Sequence, residues 1–244
     1  MIEINGEMAI AAPAKTDWFN NPVPVNGVLS EPVANAPFFY TEVKGNFVFR
    51  ARVRPTHRYT YDACALMVIR DEKMWAKAAF EESDFGTRAA VCVVTNQVSD
   101  DANGCNIEQD ELWLQIVRVG DVFCVHYSLD GKKYDMVRLF SLPVGESVKV
   151  GIEAQSPAGE GGLRFFSDIS LEKKTVQNIR AGDLRKSGTM VSADYSACRL
   201  YSFIIPCAPK IFHSPAPRRC ITAARSAAHS AGSVSTEVIK TGAY

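Results

Sequence analysis

The sequence predicts an all-β protein, folded as a sandwich of two antiparallel sheets. Short runs of β-branched and aromatic residues recur through residues 1–186 with turn signals between them. Helical periodicity is sustained nowhere in that stretch. About ten strands at such spacing do not remain one flat sheet, so two packed sheets are the economical solution.

Each element has a local reason. Phe38–Val43 and Phe47–Pro55 flank Gly45-Asn46, a pair that tolerates the positive φ a tight turn demands. Asp62–Asp71 is apolar on both rows after Asp62, which predicts a central strand covered on both faces. Met74–Glu82 alternates sharply, and Arg88–Thr95 is a short β-branched run. Glu111–Val119 and Val122–Leu129 meet at Gly120-Asp121, and Asp130-Gly131 carries the meander on to Asp135–Phe140. Ser147–Ala154 and Gly162–Lys173 complete the set, with the glycine-rich 159–162 stretch reading as a hairpin turn and not a phosphate cradle.

Charge divides the 244 residues. The 27 basic and 27 acidic side chains balance overall, but residues 1–186 hold 21 and 25 of them, and residues 187–244 hold 6 and 2. The second stretch is rich in Ala, Ser and Pro and lacks a sustained period, which predicts a weakly ordered basic tail behind a sandwich domain at 1–186. A neutral chain with an acidic body does not read as a nucleic-acid binder. No apolar run reaches the roughly 18–20 residues of a membrane helix. Seven cysteines without a CxxC pair, and an N-terminus without a basic start and apolar run, predict reduced thiols in a soluble cytoplasmic protein.

Alternation also sorts candidate functional residues. In Met74–Glu81 the row Met74, Ala76, Ala78, Phe80 is a core face, leaving Trp75, Lys77 and Glu81 opposite. Leu112, Leu114 and Ile116 leave Trp113 and Gln115 opposite; Phe123, Val125 and Tyr127 leave Cys124 and His126. If these rows share one sheet, its outer face carries Trp75, Lys77, Glu81, Trp113, Gln115 and His126, a polar site with stacking platforms. The plain alternative is a solvated sheet face with cross-strand ion pairs. Asp62, before its apolar strand, reads equally as a ligand contact or as the cap of a turn.

Catalytic signatures are weak. A retaining glycosidase needs two carboxylates about 5 Å apart, yet Glu81 has Ala79 and Ser83 at its alternate positions. Only a cross-strand acid such as Asp62 or Asp100 would complete a pair. The scattered histidines and cysteines suggest neither a metal site nor a cofactor, and Cys124 and His126 stand about 7 Å apart at two-residue spacing, too far for a nucleophilic pair.

Several segments in order resemble one family: Tyr61-Asp62-Ala63-Cys64-Ala65-Leu66-Met67-Val68, Asp71-Glu72 with Trp75-Ala76-Lys77-Ala78-Ala79-Phe80-Glu81, Thr95-Asn96-Gln97-Val98-Ser99-Asp100, Tyr127-Ser128-Leu129-Asp130-Gly131, and a closing Phe166-Ser167-Asp168. These are similar to the concanavalin A-like domain-of-unknown-function family 1349, which includes an enolase-regulating member in yeast, over about residues 18–173. The resemblance implies a jelly-roll of two curved sheets, with recurring polar positions at Asp62, Lys77, Glu81 and Ser99-Asp100. The Pro-rich Asn20–Ala36 stretch and the alanines at 63 and 65 depart from the family pattern. The functional expectation is non-catalytic binding of a carbohydrate or sugar-like metabolite on the concave sheet. Trp75 would stack, Lys77 and Glu81 would bond hydroxyls, and Asp62, Gln115 and His126 would fix orientation. A metabolic-enzyme partner is a further expectation. The rivals are a glycosidase-like enzyme using Glu81 and a protein-interaction module without a small ligand.

Overall fold

The computed structural model describes residues 2–4, 6–183 and 199–201. In chain order the strands are β1 (Ile2–Ile4), β2 (Glu7–Ala12), β3 (Trp18–Phe19), β4 (Val33–Ala34), β5 (Phe38–Lys44), β6 (Phe47–Pro55), β7 (Ala63–Asp71) and β8 (Met74–Glu82). They continue with β9 (Arg88–Asn96), β10 (Val98–Asn106), β11 (Leu112–Val119), β12 (Val122–Ser128), β13 (Asp135–Ser141), β14 (Ser147–Gln155), β15 (Gly162–Glu172) and β16 (Arg199–Tyr201). Among the described residues the only helical element is a 3-10 turn at Ile179–Ala181.

Two seven-stranded antiparallel sheets result. The first runs β1-β2-β15-β6-β11-β12-β13 and the second β10-β9-β8-β7-β14-β5-β16, with β3 and β4 as a separate ribbon. All ten predicted strands are present, each within one residue of its expected ends. The turn glycines adopt the positive φ expected of them, 74° at Gly45, 62° at Gly120 and 71° at Gly131. The sequence reading missed β1, β2, β10, β16 and the ribbon. β10, of sequence VSDDANGCN, has no apolar alternation; it is an edge strand held to β9 by its backbone.

The main core lies between the sheets. Phe47, Phe49, Ala51 and Val53 of β6 and Leu112, Leu114 and Ile116 of β11 face Leu66 and Val68 of β7 and Ala76, Ala78 and Phe80 of β8. β7 is central in its sheet and buried on both rows from Ala63 to Ile69, as expected. Its second row belongs to another apolar cluster, on the outer face of the second sheet, where Phe38, Ala65, Met67, Trp75, Ala79 and Val91 pack with Trp18 and Ala36. The expected 186/187 boundary and most of the expected tail lie outside the described residues. Within that tail, the backbone of Arg199–Tyr201 pairs with β5.

Candidate functional site

The six predicted site residues do not converge. Trp75, Lys77 and Glu81 stand on the outer face of the second sheet, opposite the core row of β8. Gln115 and His126 stand on the outer face of the first sheet, directly across the β11–β12 pairing from one another. The two groups are on opposite outsides of the sandwich. Alternation sorted each strand's faces correctly, but it carries no information on which sheet a strand joins.

Trp75 is fully buried and cannot stack on a ligand. Its ring is met edge-on by Trp18 at 6.2 Å, and its indole N–H donates to the Glu72 carbonyl at 3.2 Å. The area that would have been exposed is covered by the β3–β4 ribbon.

Asp62 is likewise fully buried, and it caps a turn. Arg164 pairs with its Oδ1 at 2.7 Å, Ser156 donates to the same oxygen at 2.6 Å, and the backbone N–H groups of Arg58 and Tyr59 donate to Oδ2 at 3.2 Å each. Asp100, the other acid considered as a partner for Glu81, points to the opposite side of β10 and pairs with Arg138 at 2.8 Å. Neither completes a catalytic pair with Glu81.

A cleft of about 180 Å³ opens on the outer face of the second sheet, lined by Asp17, Phe19, Tyr61, Lys77, Glu81, Val93, Asp101 and Gln155. Register explains its floor: Lys77 sits opposite Val93 of β9, which sits opposite Asp101 of β10. The Lys77 ammonium donates to Asp17 Oδ1 at 3.0 Å, the Trp18 carbonyl at 2.8 Å and Gln155 Oε1 at 2.7 Å. Those three bonds use all three of its protons. Lys77 therefore organises the cleft and does not itself bond hydroxyls, which corrects the expected role. Gln155 passes the order on, its amide donating to the Tyr61 carbonyl at 2.9 Å and to Glu81 Oε2 at 3.2 Å.

Two buried acids flank this lysine. Burial pushes the Glu81 carboxyl up to about 8, with Lys77 pulling the other way. Burial does the same to Glu153, also up to about 8, and neither of its oxygens has a hydrogen-bond partner among the described residues. For Lys77 burial opposes the charge, but Asp17, Glu153 and Glu81 together outweigh it and hold the ammonium above the ordinary lysine value. Burial thus favours the protonated form of both carboxyls, and the surrounding acids favour the charged form of the lysine.

The rim is aromatic. Tyr61 is 39% exposed, and its backbone stands at φ 67°, a left-handed conformation that costs a bulky residue about 1 kcal/mol or more. Its N–H donates to the Glu82 carbonyl at 2.6 Å. Asp17, Phe19, Tyr61, Asp101, Gln155 and Glu153 were not singled out from the sequence. The adjacency of Tyr61 to Asp62 and of Asp17 to the roofing Trp18 was the available signal.

On the first sheet Arg50, Gln115 and His126 form one cross-strand row, all fully buried. A short segment of the chain covers them: Asp183 N–H donates to Gln115 Oε1 at 2.9 Å, and His126 Nε2 meets the Arg180 carbonyl at 3.1 Å. Burial lowers the His126 pKa, so the ring is neutral, with Nε2 the donor and Nδ1 an unpartnered acceptor among the described residues. No group of His, Cys, Asp and Glu among the described residues is placed to hold a metal ion.

The chain is similar to the Saccharomyces cerevisiae protein named regulation of enolase protein 1, at 33% identity over 138 residues, which are 55% of this chain and 68% of that protein. The crystal structure of a functionally unknown protein from Saccharomyces cerevisiae matches with a TM-score of 0.64 at 27% identity, over 72% of this chain and 92% of that one. Bacteroides ovatus Xyloglucan PUL GH43B shares the fold alone, with a TM-score of 0.52 and 17% identity over 70% of this chain and 33% of that one. The model of the family described as protein of unknown function (DUF1349) matches residues 2–174, and the chain belongs to that family.

Proposed function

We propose that the protein is a non-catalytic module that binds a small polyhydroxylated ligand, a single sugar ring or chain end, in the cleft on the outer face of the second sheet. One observation carries this reading: a buried, hydrogen-bonded polar floor of Lys77, Gln155 and Glu81 beneath a rim of the exposed Tyr61 and the half-buried Phe19. A protonated carboxyl both donates and accepts, which matches a sugar hydroxyl, and Gln155 engages only the Oε2 atom of Glu81. Asp17 and Asp101 offer further acceptors, and Tyr61 and Phe19 offer apolar faces for the C–H side of a ring. The cleft's volume, below the roughly 300 Å³ of a drug-sized pocket, suits one ring.

A metabolic-enzyme partner is the second part of the proposal, and its support is the relative whose name is regulation of enolase. The test is calorimetric titration with a panel of mono- and oligosaccharides. At least one sugar should bind the parent protein, and Tyr61→Gly and Glu81→Leu should each weaken it at least tenfold, about 1.4 kcal/mol. Silence across the panel would sink the proposal. Turnover of a bound sugar, lost in Glu81→Gln, would instead select the glycosidase reading.

A further inference from the structure

We propose that the outer face of the first sheet is a second binding site, for a small carboxylate, which Asp183 occupies in cis. The floor is the cross-strand row Arg50, Gln115 and His126, with no side chain in it open to solvent. Asp183 lies on that floor as a ligand would. Its carboxylate pairs with Arg50 Nη2 and with Lys174 at 2.6 Å, and its peptide N–H donates to Gln115. Gly182, at φ 69°, passes so close that a Cβ there would stand 2.8 Å from Gln115 Oε1 and 3.3 Å from the His126 ring.

Two features separate this from an ordinary structural contact. The 3-10 turn Ile179–Ala181 that delivers Asp183 has no fully buried residue, its Ile179 being half-buried, and the bonds that join this segment to the floor, to Gln115, His126 and Arg50, are all polar. Asp183 also leaves the floor incompletely satisfied, since Arg50 Nε and His126 Nδ1 are buried and have no partner among the described residues. A buried donor and a buried acceptor left over beside a bound carboxylate describe a site shaped for something larger than one aspartate. A guanidinium fixed by Glu172 at 3.0 Å on one side presents its other nitrogen to an incoming carboxylate, the geometry Arg favours. The fit is to a carboxylate with a neighbouring hydroxyl, able to donate to His126 Nδ1 where Asp183 has nothing to offer.

Because Asp183 competes from the same chain, at an effective concentration in the millimolar range, free carboxylates reach the floor easily only when it is removed. Asp183→Ala should therefore bind citrate or malate at least tenfold more tightly than the parent in calorimetric titration. Adding Arg50→Met to that variant should abolish the gain. A folded Asp183→Ala protein that binds neither acid more tightly than the parent would overturn the proposal. If Asp183→Ala does not fold, hydrogen exchange on the parent decides: citrate should speed exchange of the Ala181, Gly182 and Asp183 amides relative to sodium chloride of equal ionic strength. Unchanged exchange there would overturn it equally. Neither readout involves the sugar cleft.

Discussion

Glu153 shows how much one side chain can determine. It is fully buried on the central strand β14 of the second sheet, without a hydrogen-bond partner among the described residues, and burial holds its carboxyl at about 8. Glu81 behaves alike. In the unfolded chain both titrate near 4.3, so between about pH 4.3 and 8 the native state binds more protons than the unfolded one. These two carboxyls therefore contribute stability that is lost as pH rises through that window, while His57 and His126, with pKa values lowered by burial, act in the opposite sense below about pH 6.5. Glu153→Gln keeps the shape and removes one of the two titrations. The variant should match the parent's melting temperature near pH 4 and exceed it at pH 8.5, the gap between the two widening as pH rises. Parallel declines for the two proteins would show that Glu153 is not the protonated acid described.

At the scale of elements, the strand ends that carry polar residues are organised by the loop at 56–62. Asp62 gathers Arg164, Ser156 and two loop amides, while Arg164 donates to the carbonyls of Ala63 and Gln155 at 3.1 Å each. This buried pair ties β7, β14 and β15 together and sets Tyr61 at the cleft rim. Asp62→Ala leaves the guanidinium unpaired inside the protein, which costs about 3–5 kcal/mol. Urea unfolding should show that loss directly; a loss under 1 kcal/mol would mean that the pair is not what closes the loop. Strand existence was legible here because alternation and turn glycines are local signals. The role of Asp62 was not, because Arg164 is distant in sequence and the sequence alone left turn cap and ligand contact equally open. Tyr61 escaped notice for another reason: a left-handed tyrosine is imposed by its surroundings and leaves no pattern in composition.

At the scale of the whole molecule, the fold determines which sequence-derived rows become neighbours. β8 and β11 face each other through the core, so Lys77 and Gln115, each correctly read as opposite its strand's core row, point away from one another. Packed sheets stand about 10 Å apart, and the two polar floors lie beyond them on either side. Energies of substitutions separated by more than 7–10 Å and sharing no partner add to within about 0.5 kcal/mol. Among the described residues Glu81 bonds Gln155 while Asp183 bonds Arg50, Lys174 and Gln115, so the two share no hydrogen-bond or ion-pair partner. The unfolding free energy lost in a Glu81→Leu, Asp183→Ala double variant should therefore equal the summed losses of the single variants within that margin, measured by urea denaturation at pH 7. The same separation predicts that saturating the cleft with a bound sugar leaves the citrate affinity of Asp183→Ala unchanged. A coupling above 1 kcal/mol in either experiment would mean that the sheets transmit strain through the shared core, and that the two faces act as one site.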